Sequence, residues 1–140
     1  MQENVALSAV PIQLSGIFES VRDPGAGGID IFLGTTRKTS GGKEVIALEY
    51  EAYEPMALQK FHELAAEASG KWRLRKVTIV HRTGRVAVGD ISVAIAVAAV
   101  HRAEAFEACR WLIDGLKKYA PIWKKELYRD GSEWVDGFTG

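Results

Sequence analysis

Ten residues past the middle of the chain, Ile91 to Val100, read Ile-Ser-Val-Ala-Ile-Ala-Val-Ala-Ala-Val, and a single serine hydroxyl is their only polar side chain. A strand with one face in water alternates apolar and polar residues, and this one does not. Its near-continuous apolar character predicts a strand covered on both faces, either at the centre of a sheet or at a contact between subunits. The longest unbroken apolar run, Val93 to Val100, is far too short to cross a bilayer as a helix. The rest of the chain therefore has to supply cover for both sides of this segment.

The residues that follow are also strongly patterned. His101-Arg102 marks the end of the strand and the start of a helix. Ala103, Phe106, Cys109, Ile113, Leu116 and Ala120 then recur at steps of three and four, the apolar stripe of an amphipathic helix ending near Ala120. Pro121 has no N–H to donate and disfavours helix at Ala120 before it. Ile122 to Tyr128 reads as a short strand, Arg129-Asp130-Gly131 as a turn, and Glu133-Trp134-Val135 as a partner pairing back. Lys117 thus falls on the last helical turn and Lys124 in the extended segment after the break. A sharp turn between them can aim both ammonium groups at one spot. Ordinary solvated lysines meeting the negative end of a helix dipole are the alternative.

Earlier in the chain, Ala6 to Leu14 contains Pro11 and reads as an edge strand. Ser15 to Val21 reads as a short helix capped by Ser15, and Arg22 to Gly28 as a loop. The loop's glycines suggest a phosphate cradle, but it lacks the Gly-x-x-x-x-Gly-Lys-Ser/Thr spacing and a strand rather than a helix follows it, so that reading carries little weight. Ile29 to Thr35 looks like a buried strand. Thr36 to Lys43 is a polar, mobile loop, and Val45 to Tyr53 alternates like a half-exposed strand; together they predict a long hairpin. Glu54-Pro55 opens a second helix, with Met56, Phe61, Leu64, Ala65 and Ala68 as its stripe and Gly70 as its end. Leu74 to Arg82 is a strand, with turns at Thr83-Gly84-Arg85 and Gly89-Asp90. Mixed elements dominated by hairpins predict an α+β fold rather than a parallel doubly wound sheet, in one domain over residues 1–140.

The chemistry has to be local. Lysine plus arginine equals aspartate plus glutamate, 18 each, so no global field advertises nucleic acid or an anionic membrane. The single cysteine, Cys109, excludes an internal disulfide and sits on a helical apolar stripe, which makes it a core thiol rather than a nucleophile. One unpaired cysteine suits a reducing cytosol, and the N-terminus shows no basic region followed by an apolar run, so no signal peptide is expected. His62, His81 and His101 have no metal-ligand spacing with one another or with Cys109. Four candidates remain. His101-Arg102, at a strand end opening a helix, sits where backbone N–H groups and the helix dipole favour anions, and the guanidinium fork suits phosphate or carboxylate; helix capping by a solvated pair is the alternative. Arg37, at a strand tip, is either a grip for a second anionic group or a surface arginine. Glu126 either orients a neighbouring lysine or is solvated. His81-Arg82 repeats the dipeptide before a turn and reads as structural.

His101 to Ala108, His-Arg-Ala-Glu-Ala-Phe-Glu-Ala, followed by Pro121-Ile122-Trp123-Lys124-Lys125-Glu126, resembles the large catalytic subunit of molybdopterin synthase, the MoaE family. Phe32-Leu33-Gly34-Thr35-Thr36-Arg37, Leu48 to Tyr53 with Met56, and Val80 to Arg85 with Val88-Gly89-Asp90 agree in the same order, so the resemblance covers roughly residues 10–136. The chain departs from the family after Arg37, where Lys38-Thr39-Ser40 replaces the usual Asp or Asn and further Asn. The resemblance implies an α/β hammerhead-like fold with an additional small antiparallel sheet. It implies a homodimer at the core of a heterotetramer, each large subunit binding one small ubiquitin-like sulfur carrier of the MoaD type. The carrier's Gly-Gly tail ends in a thiocarboxylate, whose sulfur passes to cyclic pyranopterin monophosphate to build the molybdopterin dithiolene. Residue matching makes Lys117 and Lys124 catalytic and substrate-binding, Arg37, His101 and Arg102 substrate-binding with the latter two reaching across the dimer, and Glu126 supporting. It implies no cofactor, metal, nucleic acid or membrane, and a cytoplasmic location. A binding module from another class, holding an acidic protein tail or nucleic acid on lysines interleaved with Tyr119 and Trp123, is the alternative.

Overall fold

A computed structural model of the chain describes residues 1–135; the last residue of the resemblance, Asp136, and the end of the 1–140 domain lie outside the described residues. The apolar run forms a strand from Ile91 to Ala99, and it lies inside a four-stranded sheet. In chain order the elements of that sheet and its cover are β1 (Gln2–Ser8), α1 (Leu14–Val21), β2 (Gly28–Thr35), α2 (Glu54–Lys71), β5 (Leu74–Arg82), β7 (Ile91–Ala99) and α3 (Arg102–Tyr119). The strand order is β1-β5-β7-β2, with β1 parallel to β5 and the other pairs antiparallel. Alternate side chains of β7 point to opposite faces. Val93, Ile95, Val97 and Ala99 join the core under α2 and α3, while Ala94, Ala96 and Ala98 pack with Ile17 and Val21 of α1. The larger β-branched residues thus fill the face under two helices, and alanines let the two-turn α1 lie close on the other.

A second, wholly antiparallel sheet is built from β3 (Thr39–Ser40), β4 (Lys43–Ala52), β6 (Gly84–Ala87), β8 (Ile122–Tyr128) and β9 (Gly131–Val135). Its order is β3-β4-β8-β9, with β6 beside β4. The expected α+β class and the strand, turn and strand after Pro121 therefore hold. Pro121 has a direct role in the junction, since its carbonyl accepts the Tyr53 N–H at 3.2 Å and so ties the end of α3 to the start of α2.

Several local expectations need correcting. The edge strand is Gln2–Ser8, ahead of Pro11, because residues 2–8 pair in register with β5 while Leu14 already belongs to α1. Ser15 does not cap α1: the N-cap is Gln13, and it makes no side-chain capping bond. The strands on either side of the 36–43 loop do not form a hairpin. β2 pairs with β7 and β4 pairs with β8, so the chain changes sheets there, and Gly41 and Gly42, with φ of 56° and 79°, turn a short β3–β4 hairpin inside the loop. β2 is an edge strand of intermediate burial rather than a buried one. On α2, Ala57 takes the core position and Met56 is 55% exposed, and the helix runs past Gly70 to Lys71. On α3 Cys109, Ile113, Leu116 and Ala120 are buried as expected, but Ala105, Ala108 and Leu112 join them, whereas Ala103 and Phe106 face outward. Steps of three and four fit more than one face of an alanine-rich helix, and only packing chooses among them.

The glycine-rich loop is packing glue for the β7–α3 junction. The Gly27 N–H lies 2.9 Å from the Ala99 carbonyl and 3.1 Å from that of Val100, and a Cβ on Gly27 would come within 2.3 Å of the Val100 oxygen. A Cβ on Gly28 would meet the Arg102 Cα at 2.9 Å. Gly27→Ala is therefore expected to cost about 1–3 kcal/mol of folding stability in a denaturant titration, the range for forced overpacking. Gly16→Ala in α1, where a Cβ meets nothing within 4 Å, is expected to be neutral or stabilising. Equal effects at the two positions would refute this account of the loop.

Candidate active site

The two sheets meet at a pocket of about 80 Å³ whose wall includes Arg37, Tyr50, His81, Ser92, Lys117, Lys124 and Glu126. Each arrives on a different part of the fold. Lys117 is on the last turn of α3, where Leu116 and Ile113 anchor the helix in the core and leave Lys117 half-buried beside them. Lys124 is on β8, opposite Tyr50 on β4, and Glu126 stands two residues on, opposite Leu48. Strand alternation puts Ile122, Lys124 and Glu126 on the inner face and Trp123 and Lys125 on the outer one. Arg37 comes from the segment between β2 and β3, and Ser92 from the first residues of β7.

The four lysines flanking Pro121, Lys117, Lys118, Lys124 and Lys125, are thereby split. Lys117 and Lys124 line the pocket. Lys118 instead lies over the Tyr119 ring, its Nζ 5.3 Å from the centroid, and Lys125 over Trp134 at 4.7 Å. The aromatic and cationic groups expected to interleave as one surface are separated, with the two working candidates turned inward.

Burial is the largest influence on both inward lysines, and it holds each below the ordinary lysine range. The nearby charges of Lys124 and Arg37 push Lys117 further down, while Asp114 opposes them. For Lys124, Glu126 pulls upward and Arg37 downward. Glu126 is itself only 6% exposed and accepts a hydrogen bond from the Tyr128 hydroxyl at 2.7 Å, which, with the charge of Glu126, pushes that phenol up to about 12. Tyr50 is raised by burial, and Thr36 Oγ1 and Ser92 Oγ lie 3.3 Å apart on the adjoining floor.

Two expected site residues stand elsewhere in the protomer. His101 and Arg102 are exposed at the N-terminal end of α3. Fifteen residues of helix separate Arg102 from Lys117, roughly 22 Å at 1.5 Å per residue. His101 makes no side-chain capping bond, so helix capping does not account for it. His81-Arg82, read as structural, divides in two. The Arg82 guanidinium does hold structure, donating to the carbonyls of Ser8, Ala9 and Arg85 at 3.2, 3.4 and 3.1 Å. His81, however, reaches the pocket wall beside Tyr50. Its position was not legible because the strand pattern of 74–82 is consistent with burial in any core. Cys109 is a core thiol as expected, within 3.7 Å of the Ile95 carbonyl and pushed up to about 12 mainly by burial.

The model of the MoaE protein family matches residues 7–119. The chain belongs to the MoaE family. Among relatives of this MoaE chain, a molybdopterin synthase catalytic subunit from Nostoc sp. is 44% identical over 137 residues, covering 96% of this chain and 83% of the relative. One of the same name from Bacillus subtilis is 41% identical over 133 residues, covering 95% and 85%. The crystal structure of molybdopterin synthase from Staphylococcus aureus superposes with a TM-score of 0.87 at 37% identity, covering 94% of this chain and 95% of that one. The MoaE chain thus has the α/β hammerhead-like fold with its added antiparallel sheet. No helix among the described residues is long and apolar enough to cross a membrane.

Proposed function

We propose that this chain is the catalytic subunit of a molybdopterin synthase, taking sulfur from the C-terminal thiocarboxylate of a small ubiquitin-like carrier and delivering it to cyclic pyranopterin monophosphate. The observation that carries the site assignment is the meeting of Lys117, Lys124 and Arg37 in one pocket of a chain with zero net charge. Both substrates bring anions, a thiocarboxylate and a phosphate, and preorganised cations in a partly desolvated pocket stabilise charge that develops during acyl transfer. Lys117 and Lys124 are the catalytic pair: one ammonium holds the thiocarboxylate and the tetrahedral intermediate, and burial, which lowers both lysines, makes either a readier proton donor than a solvated lysine. Arg37 binds the anionic substrate, and Glu126 supports Lys124. The sulfur arrives on the partner, so the buried Cys109 has no part in the reaction.

Arg102 and His101 belong, in this reading, to the pocket of a second copy. Their exposure, their distance from their own Lys117 and the outward Phe106, 57% exposed one turn along, support a contact at that end of α3. Mixed oligomers test it. Lys117→Ala and Arg102→Ala chains, each inactive alone, are refolded together with the thiocarboxylated small subunit and the cyclic pterin. Sites shared across a twofold axis should restore activity in about one site in four. No recovery above the separate variants would overturn the shared site, and failure of the wild-type mixture to form molybdopterin would overturn the function itself. A low-salt gel shift with nucleic acid is expected to be blank, since of the four lysines flanking Pro121 only Lys118 and Lys125 lie outside the pocket.

A further inference from the structure

Glu126 is the carboxylate of the pocket wall, and it stands two residues from Lys124 on the same face of β8. Two steps along a strand span roughly 6.6 Å at about 3.3 Å per residue, well within reach of a lysine side chain. A buried carboxylate and an ammonium so placed would ordinarily pair, because each relieves the other's cost of burial. Yet among the described residues no ion pair joins Lys124 to Glu126 or to any other carboxylate. Glu126 Oε1 lies instead 2.7 Å from the Tyr128 hydroxyl, which donates to it from the next inward position of the same strand.

The phenol is itself held in place. Its ring packs against the main core and stands opposite Val45 of β4. Lys43, also of β4, puts its Nζ 4.9 Å from the ring centroid and reaches Glu133 of β9 at 3.9 Å. The other charged groups of the pocket are Arg37 from the β2–β3 segment and Lys117 from α3, with Tyr50 of β4 and His81 of β5 completing the titratable set. Glu126 therefore acts on Lys124 as a charge at a distance, pulling it upward against burial, the larger influence. A carboxylate closed onto the ammonium would do more. It would take up the N–H donors and the charge that an incoming anion needs.

We propose that Tyr128 is a positioning residue: its hydroxyl holds Glu126 back from a direct ion pair with Lys124, so that the ammonium stays available to an anionic substrate. The positioning is independent of activity; its consequence for sulfur transfer rests on the proposed role of Lys124.

Tyr128→Phe removes the hydroxyl and keeps the ring, and NMR of the labelled full-length chain reads the result. With its donor gone, Glu126 closes on Lys124. The Lys124 side-chain carbon signal, assigned by its loss in Lys124→Arg, should then titrate about one pH unit higher than in the wild type. Sulfur transfer should fall about tenfold, since one unit of extra hold on the ammonium is a factor of ten. In a Glu126→Gln background, where there is no carboxylate to release, Tyr128→Phe should leave the Lys124 titration where it was. A packing role for Tyr128 alone predicts lower stability with Lys124 unmoved, so an unmoved or lowered titration overturns the proposal, as does an equal rise in the Glu126→Gln background. A raised titration with unchanged transfer upholds the positioning and overturns the catalytic reading of Lys124. Should Tyr128→Phe fail to fold, the wild type still decides. The Glu126 hydrogen bond is the first of the influences that push the Tyr128 phenol up to about 12. A Tyr128 ring that titrates near the ordinary value of about 10 overturns the proposal, and one still protonated at about pH 11 upholds the bond it stands on.

Discussion

Lys117→Ala is expected to lower single-turnover sulfur transfer by about a hundredfold or more, the loss seen when one preorganised charge-stabilising group is removed from an acyl-transfer site. The reason lies in where the ammonium is held. It is half-buried at the end of α3, where burial and the charges of Lys124 and Arg37 all act on it. A charge in such a place acts more strongly on a developing negative charge than one in water. Lys117→Arg should keep the positive charge but not the compact ammonium or its lowered pKa, so it should restore tail binding more fully than rate. The measurement is molybdopterin formed per small subunit consumed, with binding of the unthiolated small subunit measured in parallel. A Lys117→Ala rate within about threefold of wild type would remove this lysine from the mechanism, since the electrostatic contribution argued here is far larger than that. The same substitution should not unfold the protein, because the neighbouring Leu116 and Ile113 carry the helix packing.

The second large effect is a loss of stability in acid that traces to one histidine. His81 has a folded-state pKa of about 4 against an ordinary value of 6.5, and burial is the main cause. A basic group with a depressed folded pKa disfavours the native state once the unfolded chain can take up the proton. Its stabilising contribution is thus complete above about pH 6.5, declines as the pH falls, and is exhausted below about pH 4. A gap of about 2.5 units corresponds to roughly 3 kcal/mol. The carboxylates held low, Asp23 by the Gly25 N–H and Glu63 by Lys60, give up their contributions further down the scale, at and below their ordinary range near 4. Denaturant titrations from pH 7 to 4 should therefore fall more steeply for the wild type than for His81→Gln. Parallel curves for the two proteins would show that the imidazole is not buried in its neutral form.

Much of this molecule can be read from its residues. The near-continuous apolar run at 91–100 demanded cover on both faces, and β7 has α1 on one side and α2 with α3 on the other. Pro121 set the end of α3, and the strand after it begins at Ile122. The pairing of strands was less legible. β2 and β4 are neighbours in the chain but belong to different sheets, because backbone hydrogen bonding is settled by which edges the core leaves open and not by proximity in sequence. The first turns of the α3 stripe were misread for a similar reason, Ala105 and Ala108 being buried in place of Ala103 and Phe106: a helix rich in alanine offers several faces of nearly equal hydrophobicity, and contact with β7 selects one.

The sequence alone determined that two lysines flank a forced break in a helix, that no net field surrounds the chain, and that its motifs belong to one family. Only the tertiary structure decided which lysines turn inward. A residue advances about 100° around a helix and alternates faces along a strand, so Lys117 parts from Lys118 and Lys124 from Lys125. It also brought His81 to the pocket and left His101 and Arg102 at the far end of α3, because the places of side chains far apart in the chain follow from how sheets and helices pack.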